Sequence, residues 1–181
     1  MKWKVCASEY IHKGPWATLR TDHCEMPDGR QVKDYYVLEY PNWVNAVAVT
    51  EEGKVLMVRQ YRHAAGIVSL EIPGGVIDDG EAPEVAMRRE LLEETGYQFD
   101  DIELISVVYA NPSTANNHTY CYLARNGKKV QEQELDPTED IQVEEYTLAE
   151  IKQLLAENKI AQALHCTGLF YALWKLGEIA L

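Results

Sequence analysis

The stretch Gly75-VIDDG-Glu81-APEVAMR-Arg89-Glu90-LL-Glu93-Glu94-T-Gly96-Tyr97 decides the reading of this chain. It sets Glu81, Glu90, Glu93 and Glu94 at fixed distances from a loop glycine and an arginine. Pro83 suits the first turn of a helix, where its missing N–H costs nothing. No breaker follows before Gly96, a natural left-handed stop, so a helix is expected over residues 82–95. Positions i, i+3 and i+4 are neighbours on a helix, which puts Glu90, Glu93 and Glu94 on one face. Carboxylates packed so closely repel, and the repulsion raises their pKa values unless a cation sits among them. A hard divalent ion with oxygen ligands answers that charge, and Mg²⁺ fits if phosphate oxygens complete its octahedron. Arg89 lies one turn from Glu93 and can pair with it or with Glu81.

An acidic run of this kind ordinarily marks a solvated helix face. Gly74-Gly75, Glu81 and Arg89 argue otherwise, because a plain surface helix has no need of them. At every defining position the stretch resembles the box of the Nudix hydrolases. The resemblance implies an α/β fold: an α/β/α sandwich with a mixed sheet, here with an N-terminal antiparallel β extension. It also implies a metal site made by Gly74 (through its carbonyl), Glu90, Glu93 and Glu94, with Mg²⁺ as cofactor and Mn²⁺ as a possible substitute. The reaction implied is hydrolysis of a diphosphate bond.

The chain has 181 residues, which suits one core with a short extension. Its 17 basic and 29 acidic residues give a net charge of −12, which argues against nucleic acid as a partner. Cys6, Cys24, Cys121 and Cys166 show no metal spacing and read as reduced thiols. No apolar signal core or membrane-length stretch is present, so a cytoplasmic location without membrane association is expected.

Strands are expected at 3–12, 16–25 and 31–40, with a turn at Pro27-Asp28-Gly29, then at 44–50, 54–60 and 67–72. Further strands are expected at 102–109, 119–125 and 141–146. Thr147 and Glu150 form a capping signal for a helix to about 157, and another helix is expected over 160–177. The last helix is apolar around much of its circumference, which suggests cover by a partner subunit. The domains are then 1–43, an extension for dimerisation and base binding, and 44–181, the hydrolase domain.

Substrate choice lies outside the box. The run Val58-Arg59-Gln60-Tyr61-Arg62, followed by Leu70-Glu71-Ile72-Pro73-Gly74-Gly75, resembles the branch that hydrolyses ADP-ribose and nucleoside-diphosphate sugars. That likeness makes Arg62 a phosphate or sugar contact, with Arg59 and Glu71 beside it. The alternative is that both arginines are outward strand residues, solvated or paired with Glu71. Pro112 stands fifteen residues beyond Tyr97, as in ADP-ribose pyrophosphatases. The following Ser113-Thr114-Ala115-Asn116-Asn117-His118 lacks that group's glycine and acid, and so suits a broader range of hydroxylated sugars. Ser113, Asn117 and His118 are the contacts expected there, although such residues also serve turn geometry.

Trp16 sits where relatives stack a residue on the base across a domain-swapped dimer; packing within a sheet is the alternative. Candidate catalytic residues are Glu93 and Arg89; the resemblance further implies a general base in the acidic loop 132–140, where Glu139 aligns best, with Glu134, Asp136 and Asp140 as alternatives and a solvated acidic loop as the plain reading. The reaction expected is NDP-sugar and water to NMP and sugar phosphate, in a homodimer. A house-cleaning hydrolase of NTPs or dinucleoside polyphosphates is the second reading, and a non-catalytic nucleotide-sugar sensor the third.

Overall fold

The computed structural model describes residues 1–15 and 17–180; Trp16 lies outside them. Two compact units form: Met1–Pro41 with Tyr109–His118, and Asn42–Val108 with the chain from Thr119 onward.

In the first unit β1 (Lys4–Lys13), β2 (Thr18–Glu25) and β3 (Gln31–Glu39) make an antiparallel sheet with β2 in the middle. The middle strand buries Asp22 and Cys24 on alternate positions, while every residue of β1 is exposed. Val5, Tyr10 and Ile11 thereby place apolar side chains in solvent on an edge strand. The segment after Tyr109 is tied to this sheet. Leu38 N–H donates to Thr114 O at 2.7 Å, and Tyr35 Oη–H donates to Ser113 O at 2.7 Å.

The second unit begins with β4 (Trp43–Thr50) and β5 (Lys54–Arg62), followed by β6 (Ile67–Glu71) and β7 (Gly74–Val76). After α1 (Pro83–Thr95) come β8 (Tyr97–Gln98), β9 (Asp101–Tyr109), β10 (His118–Lys129) and β11 (Ile141–Thr147). The chain closes with α2 (Leu148–Ala156) and α3 (Ala163–Lys175). The sheet runs β11-β5-β4-β10-β8, with β4 and β10 parallel and the other pairs antiparallel, so it is mixed.

Strand alternation splits the core in two. Val44, Ala46 and Ala48 pack with Met87 and Leu91 of α1, whereas Val47, Met57 and Leu123 pack with Ile151 of α2 and Leu169 and Leu173 of α3. Helices therefore cover both faces, which is the α/β/α sandwich.

Three local expectations need correction. Gly74 and Gly75 are not loop but strand, paired with Asn45 and Val44. The last helix starts at Ala163 rather than 160, because Gln162 is extended at φ −97 and ψ 128. β10 runs past Arg125 to Lys129 by absorbing a bulge between Ala124 and Gly127, where Asn126 takes φ 58. The capping box of Thr147 and Glu150 is present. On α3, Leu169, Ala172 and Leu173 face the core, while Phe170 and Trp174 are exposed. Among the described residues no helix is long and apolar enough to cross a membrane.

Candidate active site

Strand β7, its loop and α1 build the site. Pro83 occupies the first turn of α1, and Gly96 ends it at φ 76 with its N–H on Leu92 O. Arg89 then commits all five of its N–H groups. Nε and Nη2 grip Glu81 at 3.1 and 2.9 Å, Nη1 reaches Glu90 at 2.9 Å and Glu93 at 3.1 Å, and Nη2 also donates to Val76 O at 3.0 Å. The pairings offered by sequence as alternatives, Glu93 or Glu81, occur together. Arg89 thereby fastens the loop after β7 to α1.

Gly74 and the first box glycine, Gly75, allow two close approaches. A Cβ on Gly74 would stand 2.2 Å from Val44 O and 2.7 Å from Asn45 Cα. A Cβ on Gly75 would stand 2.4 Å from the Glu90 carboxylate. Glu94 is 4% exposed, and one of its oxygens accepts the Gly74 N–H at 2.9 Å. Burial pushes Glu94 up to about 8; the Gly74 N–H opposes this, while the charges of Glu90 and Glu139 add to it. Burial also pushes Glu90 up to about 6, against the pull of Arg89 and with the push of Glu93 and Glu139. Mutual repulsion, the cause anticipated from sequence, is therefore real but smaller than desolvation. Glu93 is more exposed and turned to Arg89.

Arg62, at the end of β5, makes a two-point contact with Glu71, Nε to Oε1 at 3.0 Å and Nη2 to Oε2 at 2.5 Å. Glu71 is 1% exposed. Burial opposes its ionisation, yet the His165 ring at 3.3 Å and the Arg62 guanidinium outweigh that and hold its carboxyl well below the usual range. Glu71 is therefore buried and paired with Arg62. The Glu71 contact raises the proton affinity of Arg62 against its burial, and the charges of Glu94 and Glu139 add to it. Glu139 itself lies in a turn, where its Oε2 accepts the Asp136 N–H at 3.0 Å.

Arg59 goes elsewhere. Alternation along β5 turns it to the opposite face from Arg62, where it pairs with Glu144 and lines a hollow with Tyr146 and Leu154. In the first unit Pro112 and Ser113 line a pocket with Arg20 and Tyr35. Asn117 is buried and donates to Pro41 O at 3.0 Å, and the His118 ring lies against Tyr109 at 4.2 Å.

Sequence reasoning missed His165. It lines a cavity of about 370 Å³ with Asn45, Arg62, Gly74, Gly75, Thr119 and Gln162. No spacing rule singles out a histidine on a helix 120 residues from the strand it faces, Asn45 on β4.

A mixed sheet between helices, with a strand–loop–helix bearing Glu90, Glu93 and Glu94, defines the class. This chain belongs to the Nudix family, whose domain matches residues 40–165. Residues 3–38 match a second family, the nucleoside diphosphate sugar hydrolase N-terminal domain. The chain is 34% identical to an ADP-ribose pyrophosphatase of Bacillus subtilis (strain 168), over 88% of this chain and 86% of that one. It is also 34% identical to a methanol dehydrogenase activator of Bacillus methanolicus, over 87% and 85%. A solved structure described as an ADP compounds hydrolase superposes with a TM-score of 0.86 at 22% identity, covering 99% of this chain and 98% of that one. That likeness shows the fold.

Nudix hydrolases generally need a divalent metal. Among the described residues no three His, Cys, Asp or Glu side chains already converge as a ligand set, and Glu90 and Glu93 both turn to Arg89. The donors nevertheless fit a hard cation: buried Glu94 and half-buried Glu90 are carboxylates with raised proton affinity, which a divalent ion would relieve.

Proposed function

We propose that this enzyme hydrolyses the diphosphate bond of nucleoside-diphosphate sugars, ADP-ribose among them, to NMP and sugar phosphate. The observation that carries the reading is Arg62 on the wall of the same cavity as Gly74 and Gly75, held in place by buried Glu71. An arginine fixed beside a carboxylate-lined metal site is suited to two-point contact with a phosphate. The ADP-ribose pyrophosphatase of Bacillus subtilis supports the same substrate class.

Mg²⁺, with Mn²⁺ as substitute, is the proposed ion, held by Glu90, Glu94, Glu93 and the Gly74 carbonyl. When bound, it would polarise the phosphoryl oxygens and acidify water. Arg62 orients the diphosphate. Glu139 takes the proton from the attacking water, whose oxygen bonds to phosphorus as the bridging P–O bond breaks. Arg89 keeps Glu90 and Glu93 in register throughout.

The first unit is assigned dimerisation and base binding. Support comes from the exposed Val5, Tyr10 and Ile11 on β1, joined in the second unit by Phe170 and Trp174 on α3. Trp16 is the proposed stacking residue, with Pro112 and Ser113 as further substrate contacts. The expected species is a cytoplasmic homodimer of about 41 kDa, twice the 20.6 kDa chain, which light scattering would show.

The test is a panel of ADP-, GDP- and UDP-sugars against NTPs and dinucleoside polyphosphates, each with Mg²⁺ or Mn²⁺. Release of NMP and sugar phosphate, with far slower attack on the others, is expected. A preference for NTPs overturns the substrate reading.

A further inference from the structure

The cavity beside the box holds a set of polar groups for which the chain provides no use. Asn45 Oδ1, Thr119 Oγ1, Gln162 Oε1 and His165 Nδ1 are buried without a hydrogen-bond partner, and all four residues line this one cavity. Asn45, Thr119 and His165 are 4, 2 and 6% exposed. Buried polar groups left unpaired are costly, so their concentration at one wall calls for a ligand. Gln162 stands at the N-cap of α3 yet makes no capping bond. Its amide is thus spared from the role that position ordinarily gives a polar side chain.

The chemistry of the set selects the ligand. Asn45 Oδ1 and Gln162 Oε1 accept, and their amide nitrogens donate. His165 has the Glu71 carboxylate 3.3 Å from Nε2, which favours the proton there and leaves Nδ1 as an acceptor. Thr119 can do either. Such a lining needs a partner that also donates. A sugar ring with several hydroxyls meets the need, whereas an ionised phosphate only accepts. Charge agrees, because the Glu71 carboxylate beside His165 disfavours an anion there, while Arg62 in the same lining can serve one. Trp43 and Leu164 add apolar wall for the ring's C–H faces. The volume, about 370 Å³, falls in the usual range for small-molecule sites of roughly 300–1,000 Å³.

We propose that this cavity seats the sugar of the substrate, with Gln162 and His165 of α3 and Asn45 and Thr119 of the sheet reading its hydroxyls. Diphosphate cleavage and sugar selection then meet at Gly74-Gly75, where the start of the box forms part of the cavity wall. The inference rests on the nucleotide-sugar reading given above.

The test compares ADP-ribose with the β-methyl ester of ADP, which keeps the diphosphate and lacks the sugar. Gln162→Leu and Thr119→Val remove polarity at nearly constant shape, and thermal melts check that each folds. In each variant kcat/KM for ADP-ribose should fall about tenfold more than for the methyl ester, chiefly through KM. Ribose 5-phosphate, as an inhibitor of wild type, should lose affinity by a similar factor in Gln162→Leu. If wild type cleaves ADP-ribose but the ratio stays within about twofold in both variants, the cavity holds only water and the sugar assignment is wrong. If wild type cleaves neither compound, the hydrolase reading fails and this one with it.

Discussion

Replacing Gly75 with alanine should disable the enzyme while sparing the fold. The added Cβ would lie 2.4 Å from the Glu90 carboxylate, whereas ordinary contact begins at 3.4 Å, so the carboxylate must retreat by about 1 Å (3.4 − 2.4). Glu90 Oε1 also accepts from Arg89 at 2.9 Å, so the retreat disturbs the hub as well. A displacement of that size at a reacting centre costs about a hundredfold in rate. The clash involves the far end of a side chain, so stability should change by no more than about 1 kcal/mol. The assay is ADP-ribose turnover against Mg²⁺ concentration, with a thermal melt in parallel. A kcat within about threefold of wild type, at unchanged half-saturating Mg²⁺, would refute the placement of Glu90. Gly74→Ala provides the contrast. Its Cβ meets Val44 O at 2.2 Å and Asn45 Cα at 2.7 Å, both backbone atoms of a paired strand. That substitution should cost about 1–3 kcal/mol, visible as roughly 2–4 °C in Tm for each kcal/mol.

Glu94→Gln keeps an oxygen for the Gly74 N–H but removes the charge, so kcat should fall by roughly two orders of magnitude or more at an unchanged melt. Near wild-type turnover would sink the metal assignment. Glu139→Gln should lower kcat by about 10²–10⁴ with little change in KM, since its amide can still accept from Asp136 N–H. Full activity would move the base to Glu134, Asp136 or Asp140. In EDTA the melt should fall as pH rises from 5 to 9. Glu90 and Glu94 titrate near 6 and 8 when folded, against 4.5 when unfolded. Their stabilising contribution is therefore complete below 4.5 and is lost as pH passes through 6 and then 8. Added Mg²⁺ should flatten the fall, and a melt that rises over this window would contradict the burial of the pair.

What could be read from sequence was what is local. The α1 helix, its glycine stop, the shared face of Glu90, Glu93 and Glu94 and the Thr147–Glu150 box all follow from spacings of a few residues. The mixed sheet came from the family likeness rather than from periodicity. Long-range facts were out of reach. Arg59 and Arg62 look alike in R-Q-Y-R, and only the pairing of β5 shows that one meets Glu144 and the other Glu71. The strand character of Gly74 and Gly75 depends on β4, nearly thirty residues earlier. The cavity residues Asn45, Thr119 and Gln162 come from three distant segments, and each is an unremarkable polar residue until the fold gathers them.

Glu71 has a consequence for how this enzyme can evolve. One buried carboxylate faces two readers, the guanidinium of Arg62 and the imidazole of His165. Neither partner can drift alone without leaving an under-compensated negative charge in the interior. A lineage that altered its taste in sugars by replacing His165 would strain the grip on the diphosphate in the same step. New preferences are then most easily reached at Gln162 and Thr119, which touch no such shared anchor, while Arg62, Glu71 and His165 change together or stay.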